Sequence, residues 1–371
     1  MNAAARRGAI AVALVAVVAL VAVVALIPFV GLHLPWVLPS TVNVVNSTGT
    51  LEVLALCFIF AGVALGYDVI FGYTGLLSLG PVMYFATGAY VFDITLTHWN
   101  WPLIPALVAT FAVSLVLAVV LGAVALRVSG IAFTMVTLAF AQAFYYLIED
   151  NPHGLTGGDT GLALYSTRLP AFMSGAVSNT RNLYWIALGF LVVSYAVVWL
   201  VTESATGHVL VAIRENERRL EVLGIHPFRY KLAAYTLSSL VATGGGVAYI
   251  LLIGTAVPSA VASVTVTLSI LIMVVLGGAG TRWGAVTGAV LYVYLQQYLL
   301  KVAAQPSFAT LPAFLRVPLS QPQFLLGAIF VLFVLFVPGG IAGVVNRRRL
   351  RRAAHRFDLA SAAPSIPLEE L

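Results

Sequence analysis

Residues 103–126 read LIPALVATFAVSLVLAVVLGAVAL, and Arg127 follows. From Leu103 to Leu126 there is no charged side chain. A helix needs about 20 apolar residues to cross the hydrocarbon core of a bilayer, so this stretch is long enough to span one. Working outward, further stretches share its character: roughly 9–27, 51–71, 77–97, 131–149, 184–202, 231–254, 262–278, 284–300 and 323–345. Composition agrees. The chain is 61% hydrophobic and 9% charged, whereas a soluble domain carries about 25% charged residues to cover its core. An outer-membrane barrel would show segments of alternating polarity, and these runs are continuous. The expected fold is all-α: a polytopic transmembrane helical bundle of about ten spans. Two spans are irregular. The 77–97 stretch holds Gly80, Pro81 and Gly88, and 262–278 holds Ser263, Thr265, Thr267 and Ser269. Either is open to being a broken or re-entrant helix.

Positive charge orients the bundle, because cytoplasmic loops carry the excess of Lys and Arg. With Arg6 and Arg7 inside and the spans alternating, the inner segments also hold Arg127, Arg214, Arg218, Arg219, Arg229, Lys231, Arg282, Arg347, Arg348, Arg349, Arg351, Arg352 and Arg356. The outer segments hold only Arg168, Arg181, Lys301 and Arg316. An even number of spans then places the N and C termini in the cytoplasm. The net charge of +6 is a topology signal. It does not mark a nucleic-acid surface, since the basic residues sit at helix ends with no folded basic domain around them. The first apolar run is longer than the 7–15-residue core of a signal peptide, and no small-x-small cleavage pattern follows; it is expected to be retained.

Several chemistries lack their residues. No Gly-x4-Gly-Lys-Ser/Thr phosphate loop exists, because neither Lys231 nor Lys301 follows such a glycine. The histidines (His33, His98, His153, His208, His226 and His355) are scattered and form no His-Glu-x-x-His motif. Cys57 is the only cysteine and lies in a span, so it offers neither an internal disulfide nor a cysteine zinc site. Neither a metal site nor an enzyme's catalytic residues are expected. Ionisable residues within membranes mark ion or proton routes, and here the span centres are nearly free of them. Asp68 and Asp93 lie near span ends, Glu52 begins a span, and Glu149 and Asp150 close one. Asp93 is the best candidate for a functional buried carboxylate. No chain of carboxylates or histidines crosses the bundle. That leaves a passive pore, or a translocator driven by something outside this chain.

One internal inner loop is long, from Glu203 to Tyr230. Within it Gly207–Gly224 has the pattern of an amphipathic helix. Ile213, Leu220 and Leu223 recur at helical spacing, surrounded by Arg214, Glu215, Glu217, Arg218, Arg219 and Glu221. Glu215 and Arg219 form an i,i+4 pair in the favoured order. Gly224 can end the helix in a left-handed conformation. A lipid-surface helix would carry mostly Lys and Arg on its polar face; this one is mixed. Composition leaves open both a membrane-surface helix and a helix that docks on a cytoplasmic partner.

Five blocks, in order along the chain, resemble a known family. They are Gly72-Tyr73-Thr74-Gly75-Leu76-Leu77-Ser78-Leu79-Gly80 with Gly88-Ala89-Tyr90; Gly130 to Phe140; Leu155-Thr156-Gly157-Gly158-Asp159-Thr160-Gly161-Leu162; Ala212-Ile213-Arg214-Glu215-Asn216-Glu217 with Leu223-Gly224-Ile225; and Val275 to Gly284. A closing Phe336-Val337-Pro338-Gly339-Gly340 adds to the match. Together they resemble the inner-membrane permease subunits of branched-chain amino-acid ABC importers, the LivM type of the LivH/LivM permease family.

The resemblance implies that the loop helix is a coupling helix resting on an ATP-binding subunit. Arg214, Glu215, Glu217, Arg218, Glu221 and Gly224 would form that ATPase-coupling loop. It implies a second, LivH-type permease, two cytoplasmic ATPases that hold ATP and Mg, and an extracytoplasmic solute-binding protein, with no cofactor on this chain itself. The cargo would be a branched-chain or other apolar amino acid. The implied division is 1–50 for a first helix and outer loop, 51–345 for the permease domain with its coupling loop at 203–230, and 346–371 for a basic cytoplasmic tail.

Substrate-path candidates are Gly72, Thr74, Gly75, Ser78, Thr156, Gly157 and Gly158, where glycine exposes backbone N–H groups and hydroxyls stand by. At the N-terminus of a broken helix such groups can meet a carboxylate; plain loop turns are the alternative. Gly280, Gly284 and Gly288 repeat every four residues, a spacing that lets helices approach closely. Leu76 and Pro81 depart from the family's usual glutamine and histidine. Leucine at the first position also occurs in related urea permeases, so urea or a short amide is the alternative cargo. A stand-alone channel or secondary transporter is the rival class.

Overall fold

The computed structural model describes Val24 and residues 27–29, 47–164, 169–170, 179–303, 322–337 and 339–344. Its helices are α1 (Thr48–Asp68), which runs on into a π-helical turn at Val69–Tyr73, α2 (Pro81–Thr97), α3 (Leu103–Ala125), α4 (Ile131–Glu149), α5 (Thr180–Glu203), α6 (Ala205–Val222), α7 (Pro227–Ile253), α8 (Pro258–Val261), α9 (Val264–Gly277), α10 (Arg282–Ala303) and α11 (Pro322–Phe336). Among the described residues the only strands are β1 (Leu162–Ala163) and β2 (Thr255–Ala256), paired antiparallel with Leu162 opposite Ala256. Among the described residues six helices are long and apolar enough to cross a membrane: α1 with its π-turn, α3, α4, α5, α7, and α8 with α9 as one interrupted segment. The bundle is all-α and polytopic, as expected. The stretch 9–27 lies outside the described residues except at Val24 and Ile27, and 346–371 lies wholly outside them.

α1 is the axis of the bundle, flanked by α5, α7, α9 and α10, while α2 packs along α7 and α3 covers both. Of the most apolar stretch of α1, 83% is buried, against 22% for α3 and for α5. The side-chain pattern explains the difference. The buried positions of α3 are all small (Ala106, Thr110, Ser114, Ala118, Gly122 and Ala125), and its bulky Ile104, Val108, Val116 and Val120 point outward. Lipid is as apolar as leucine, so no solvent force drives large residues inward. Small residues face the neighbour because they allow close approach. The Ser114 hydroxyl meets the Thr243 hydroxyl of α7 across this contact.

The closest approaches are at glycine. A Cβ at Gly88 of α2 would collide with the Thr243 carbonyl, and one at Gly246 of α7 would collide with the Phe85 carbonyl. α2 and α7 therefore touch backbone to backbone. Gly284 and Gly288 face α9 in the same way: a Cβ on Gly284 would lie 2.7 Å from the Gly277 oxygen. Gly280 does not share that face. α10 starts at Arg282, and Gly280 sits in the preceding turn with φ +80°. A four-residue repeat marks one face only inside a helix.

The 77–97 span carries an uninterrupted helix that starts late, and only the second irregular span is interrupted, near its start. Residues 74–80 form no helix; α2 starts at Pro81, whose fixed φ suits the first helical turn. The 262–278 stretch is interrupted at Ala262–Ser263, where the Ser263 hydroxyl caps α9 by accepting from the Thr265 N–H at 3.3 Å.

Candidate functional site

α6 follows α5 after the single non-helical residue Ser204 and lies across one end of the bundle, against α5, α7 and the π-turn. Leu210, Ile213 and Leu220 are buried beneath it. Leu223, expected on the same face, is instead 74% exposed. Asn216 breaks the helix with extended dihedrals (φ −163°, ψ 100°), yet Leu220 beyond it stays on the buried face; Leu223 already belongs to the exit turn. That exit has the expected form. Gly224 takes φ +81°, its N–H donates to the Glu221 carbonyl at 3.0 Å, and the Ile225 N–H donates to Leu220 at 3.0 Å, which is the Schellman arrangement. Glu215, Arg218 and Glu221 face solvent, beside exposed Val222, Leu223 and Phe228. Glu217 turns inward and accepts from Lys231 Nζ at 2.5 Å. At the end of α5, Arg282 donates to Glu203 at 2.7 Å and to Thr202 at 3.2 Å.

Beneath α6 the chain brings together residues from four distant segments. Asp68, at the end of α1, is fully buried. Its Oδ1 accepts from the Gly280 N–H at 2.8 Å, and its Oδ2 has no hydrogen-bond partner among the described residues. One helical turn on, the Gly72 carbonyl accepts from Arg214 Nη1, which reaches down from α6. A Cβ at Gly72 would collide with Asp68 Oδ1 and the Gly280 nitrogen, so only glycine fits. Gly75 has φ +76°, and a Cβ there would lie 2.9 Å from Arg214 Cγ. Sequence reading passed over Asp68 as a span-end carboxylate. The signal was present: an aspartate four residues before a glycine, in a span whose only other charge is Glu52 at its start.

From this cluster residues 74–80 climb into the bundle. The Thr74 hydroxyl donates to the Val69 carbonyl at 2.8 Å, closing the π-turn. The Ser78 carbonyl accepts from Tyr67 Oη at 2.9 Å, and its hydroxyl accepts from the Gly80 N–H at 3.3 Å. α4 holds the segment from the other side: Thr134 donates to the Leu77 carbonyl at 2.8 Å and Thr137 accepts from the Leu79 N–H at 3.1 Å. At the start of α2 a cavity of about 10 Å³ is lined by Tyr67, Ser78, Tyr84, Tyr235, Ser238 and Ser239 among others. That is room for one water, so in this conformation the space is closed to a solute.

The other candidate group lies at the opposite end of α4. Thr134 and Ile148 are separated by about 21 Å at 1.5 Å rise per residue. Here Asn151 Oδ1 accepts from the Thr156 N–H at 2.9 Å, the Gly157 N–H at 3.0 Å and the Thr156 hydroxyl at 3.1 Å; that hydroxyl also donates to the Ile148 carbonyl at 2.7 Å. Gly157 and Gly158 both have positive φ. The two sets of substrate-path candidates are therefore not one site. Asp93 stands toward this second end. It is fully buried, accepts from Thr97 at 2.7 Å through Oδ1, and has no partner for Oδ2 among the described residues.

Residues 49–335 match the family described as branched-chain amino acid transport system / permease component. The chain belongs to this family. Among its relatives is the high-affinity branched-chain amino acid transport system permease protein LivM of Escherichia coli (strain K12), 28% identical over 282 residues, which is 68% of this chain and 64% of that protein. LivM of Salmonella typhimurium (strain LT2) is 28% identical over 278 residues, with the same coverage. A probable branched-chain amino acid transport permease protein LivM from Methanocaldococcus jannaschii is 25% identical over 210 residues, 55% of this chain and 57% of the relative. The chain thus spans 64% of the length of the two enterobacterial relatives. No solved structure matches it significantly. With its six apolar helices this family member is a multi-pass inner-membrane protein.

Proposed function

We propose that the chain is the permease subunit of an ABC importer that carries branched-chain or other apolar amino acids, driven by ATP hydrolysed on partner subunits. The observation that carries this reading is the family match over residues 49–335. α6 supports it: its outward side joins Glu215, Arg218 and Glu221 to the exposed apolar tip Val222–Leu223, while its inward side is tied to the bundle through Lys231–Glu217 and Arg214–Gly72. A helix held this way can take a push from a partner and pass it inward. The partners are a second permease of LivH type, two cytoplasmic ATPases that bind ATP and Mg, and an extracytoplasmic binding protein. This chain carries no cofactor and no ATP site of its own.

The same reading gives about ten spans with both termini in the cytoplasm. In support, Arg127, Arg214, Arg218, Arg219, Arg229, Lys231 and Arg282 all lie at the α6 end of the described bundle, whereas Arg181 and Lys301 lie at the other, the asymmetry expected of a cytoplasmic face. The substrate path would run beside residues 74–80 and the start of α2. The test is reconstitution of the co-expressed complex in liposomes. ATP-dependent uptake of radiolabelled leucine is expected. Uptake that proceeds without ATP or without an ATPase subunit would leave a channel or secondary transporter instead. ATP-dependent uptake of urea alone would move the assignment to the alternative cargo that Leu76 suggests.

A further inference from the structure

We propose that Arg214 is the positioning residue of a two-position latch that carries movement of α6 into the core of the bundle, with Gly72 O and Asp68 Oδ2 as its alternative acceptors. This rests on the importer reading above. In the present conformation Arg214 Nη1 grips the Gly72 carbonyl. Asp68 Oδ1 is committed to the Gly280 N–H, and Oδ2 has no partner among the described residues although the residue is fully buried. An unpaired carboxylate oxygen is costly in such a place, and a guanidinium is the partner that suits it best. Arg214 and Asp68 crowd the same two glycines. A Cβ on Gly280 would lie 3.2 Å from Arg214 Nη1, and one on Gly72 would collide with both Asp68 Oδ1 and the Gly280 nitrogen.

The placement gives the exchange its consequence. Gly72 lies in the π-turn that leads into residues 74–80 and α2; Asp68 ends the central helix α1; Gly280 is the turn between α9 and α10. π-turns recur at functional sites. A shift of α6 that slides Arg214 from Gly72 O to Asp68 Oδ2 frees the π-turn carbonyl while still holding α1 and, through Oδ1, the α9–α10 turn. A discrete element with two arrangements is what coupling between sites requires. Arg214, Arg218 and Arg219 are all exposed on the same helix, and of the three it is Arg214 that reaches Gly72.

The test uses the full complex with its ATPases, second permease and binding protein in liposomes. It measures assembly by size exclusion, ATP hydrolysis, and leucine uptake per ATP hydrolysed. Arg214→Ala is expected to assemble and hydrolyse ATP while uptake per ATP falls about tenfold, within the usual range of coupling between sites. Arg214→Lys should restore much of it, and Arg219→Ala should leave it unchanged. Asp68→Asn keeps an acceptor for Gly280 but removes the charge, so uptake per ATP should fall several-fold. Combined with Arg214→Ala it should cost nothing more, since two halves of one device are not additive. Should Arg214→Ala fail to assemble, Arg214→Gln keeps a donor without the charge and is read the same way. Wild-type uptake per ATP in the assembled Arg214 variant, or fully multiplicative losses in the double variant, would overturn the latch and leave the importer reading intact. Absence of ATP-dependent uptake by the wild-type complex would remove both.

Discussion

The two ends of the bundle are built on opposite plans. At the α6 end, Asp68, Gly72, Arg214 and Gly280 come from segments far apart in sequence and are tied by side chains. At the other end, residues 151–157 close on themselves around one atom, Asn151 Oδ1, and the chain then pairs through β1 with β2, where Tyr90 Oη donates to the Ala256 carbonyl at 2.6 Å. The first plan couples distant elements and passes displacement between them. The second makes a self-contained cap that moves, or stays, as a unit.

The comparison is sharpest at Gly72. A Gly72→Val change puts a side chain where Asp68 and the Gly280 backbone already are. We expect the assembled complex to be lost, with monodisperse yield after size exclusion falling below a tenth of wild type; recovery of normal yield would show that the four segments are not tightly joined. Breaking the Lys231–Glu217 pair comes next. Lys231 is only 8% exposed, so Glu217→Gln leaves a buried ammonium short of its partner. Because the Glu217 side chain is itself 41% exposed, the cost should be about 1–2 kcal/mol, below that of a fully buried pair, read as a drop in melting temperature of the solubilised complex.

Asn151→Ala tests the second plan. Two backbone N–H donors, of Thr156 and Gly157, lose their acceptor, at about 1–2 kcal/mol. Faster hydrogen exchange should stay within residues 151–164. If it spreads to α6, the ends are coupled and the contrast fails. The smallest effect is expected at Arg282→Gln. Its partner Glu203 has a side chain 56% exposed, and such pairs are worth about 1 kcal/mol or less, so thermal stability should barely change.

Much of this was legible beforehand, for a physical reason. Membrane spans are set by length and apolarity, which are local, so the α3, α4, α5 and α7 segments were delimited to within a few residues. The left-handed Gly224 and the breaks at 74–80 and 262–263 followed from glycine, proline and serine chemistry that acts over a single turn. Other features failed where local rules meet distant partners. Gly280 shares no helix face with Gly284, because α10 starts two residues after it, and Leu223 falls in the exit turn and so off the buried face. Thr74, Ser78 and Thr156, candidates for one path, lie in two groups at opposite ends of α4, a separation that no local pattern shows.

The sequence by itself determined the lipid solvent, the helical class, the charge asymmetry and the blocks that mark the family, because each depends on composition or on residues a few positions apart. The tertiary structure alone decided that Asp68 meets Gly280 and that Arg214 reaches Gly72. Those contacts join positions 68, 72, 214 and 280. No periodicity links such distances; they exist only because α1, α6 and the α9–α10 turn converge on one end of the bundle.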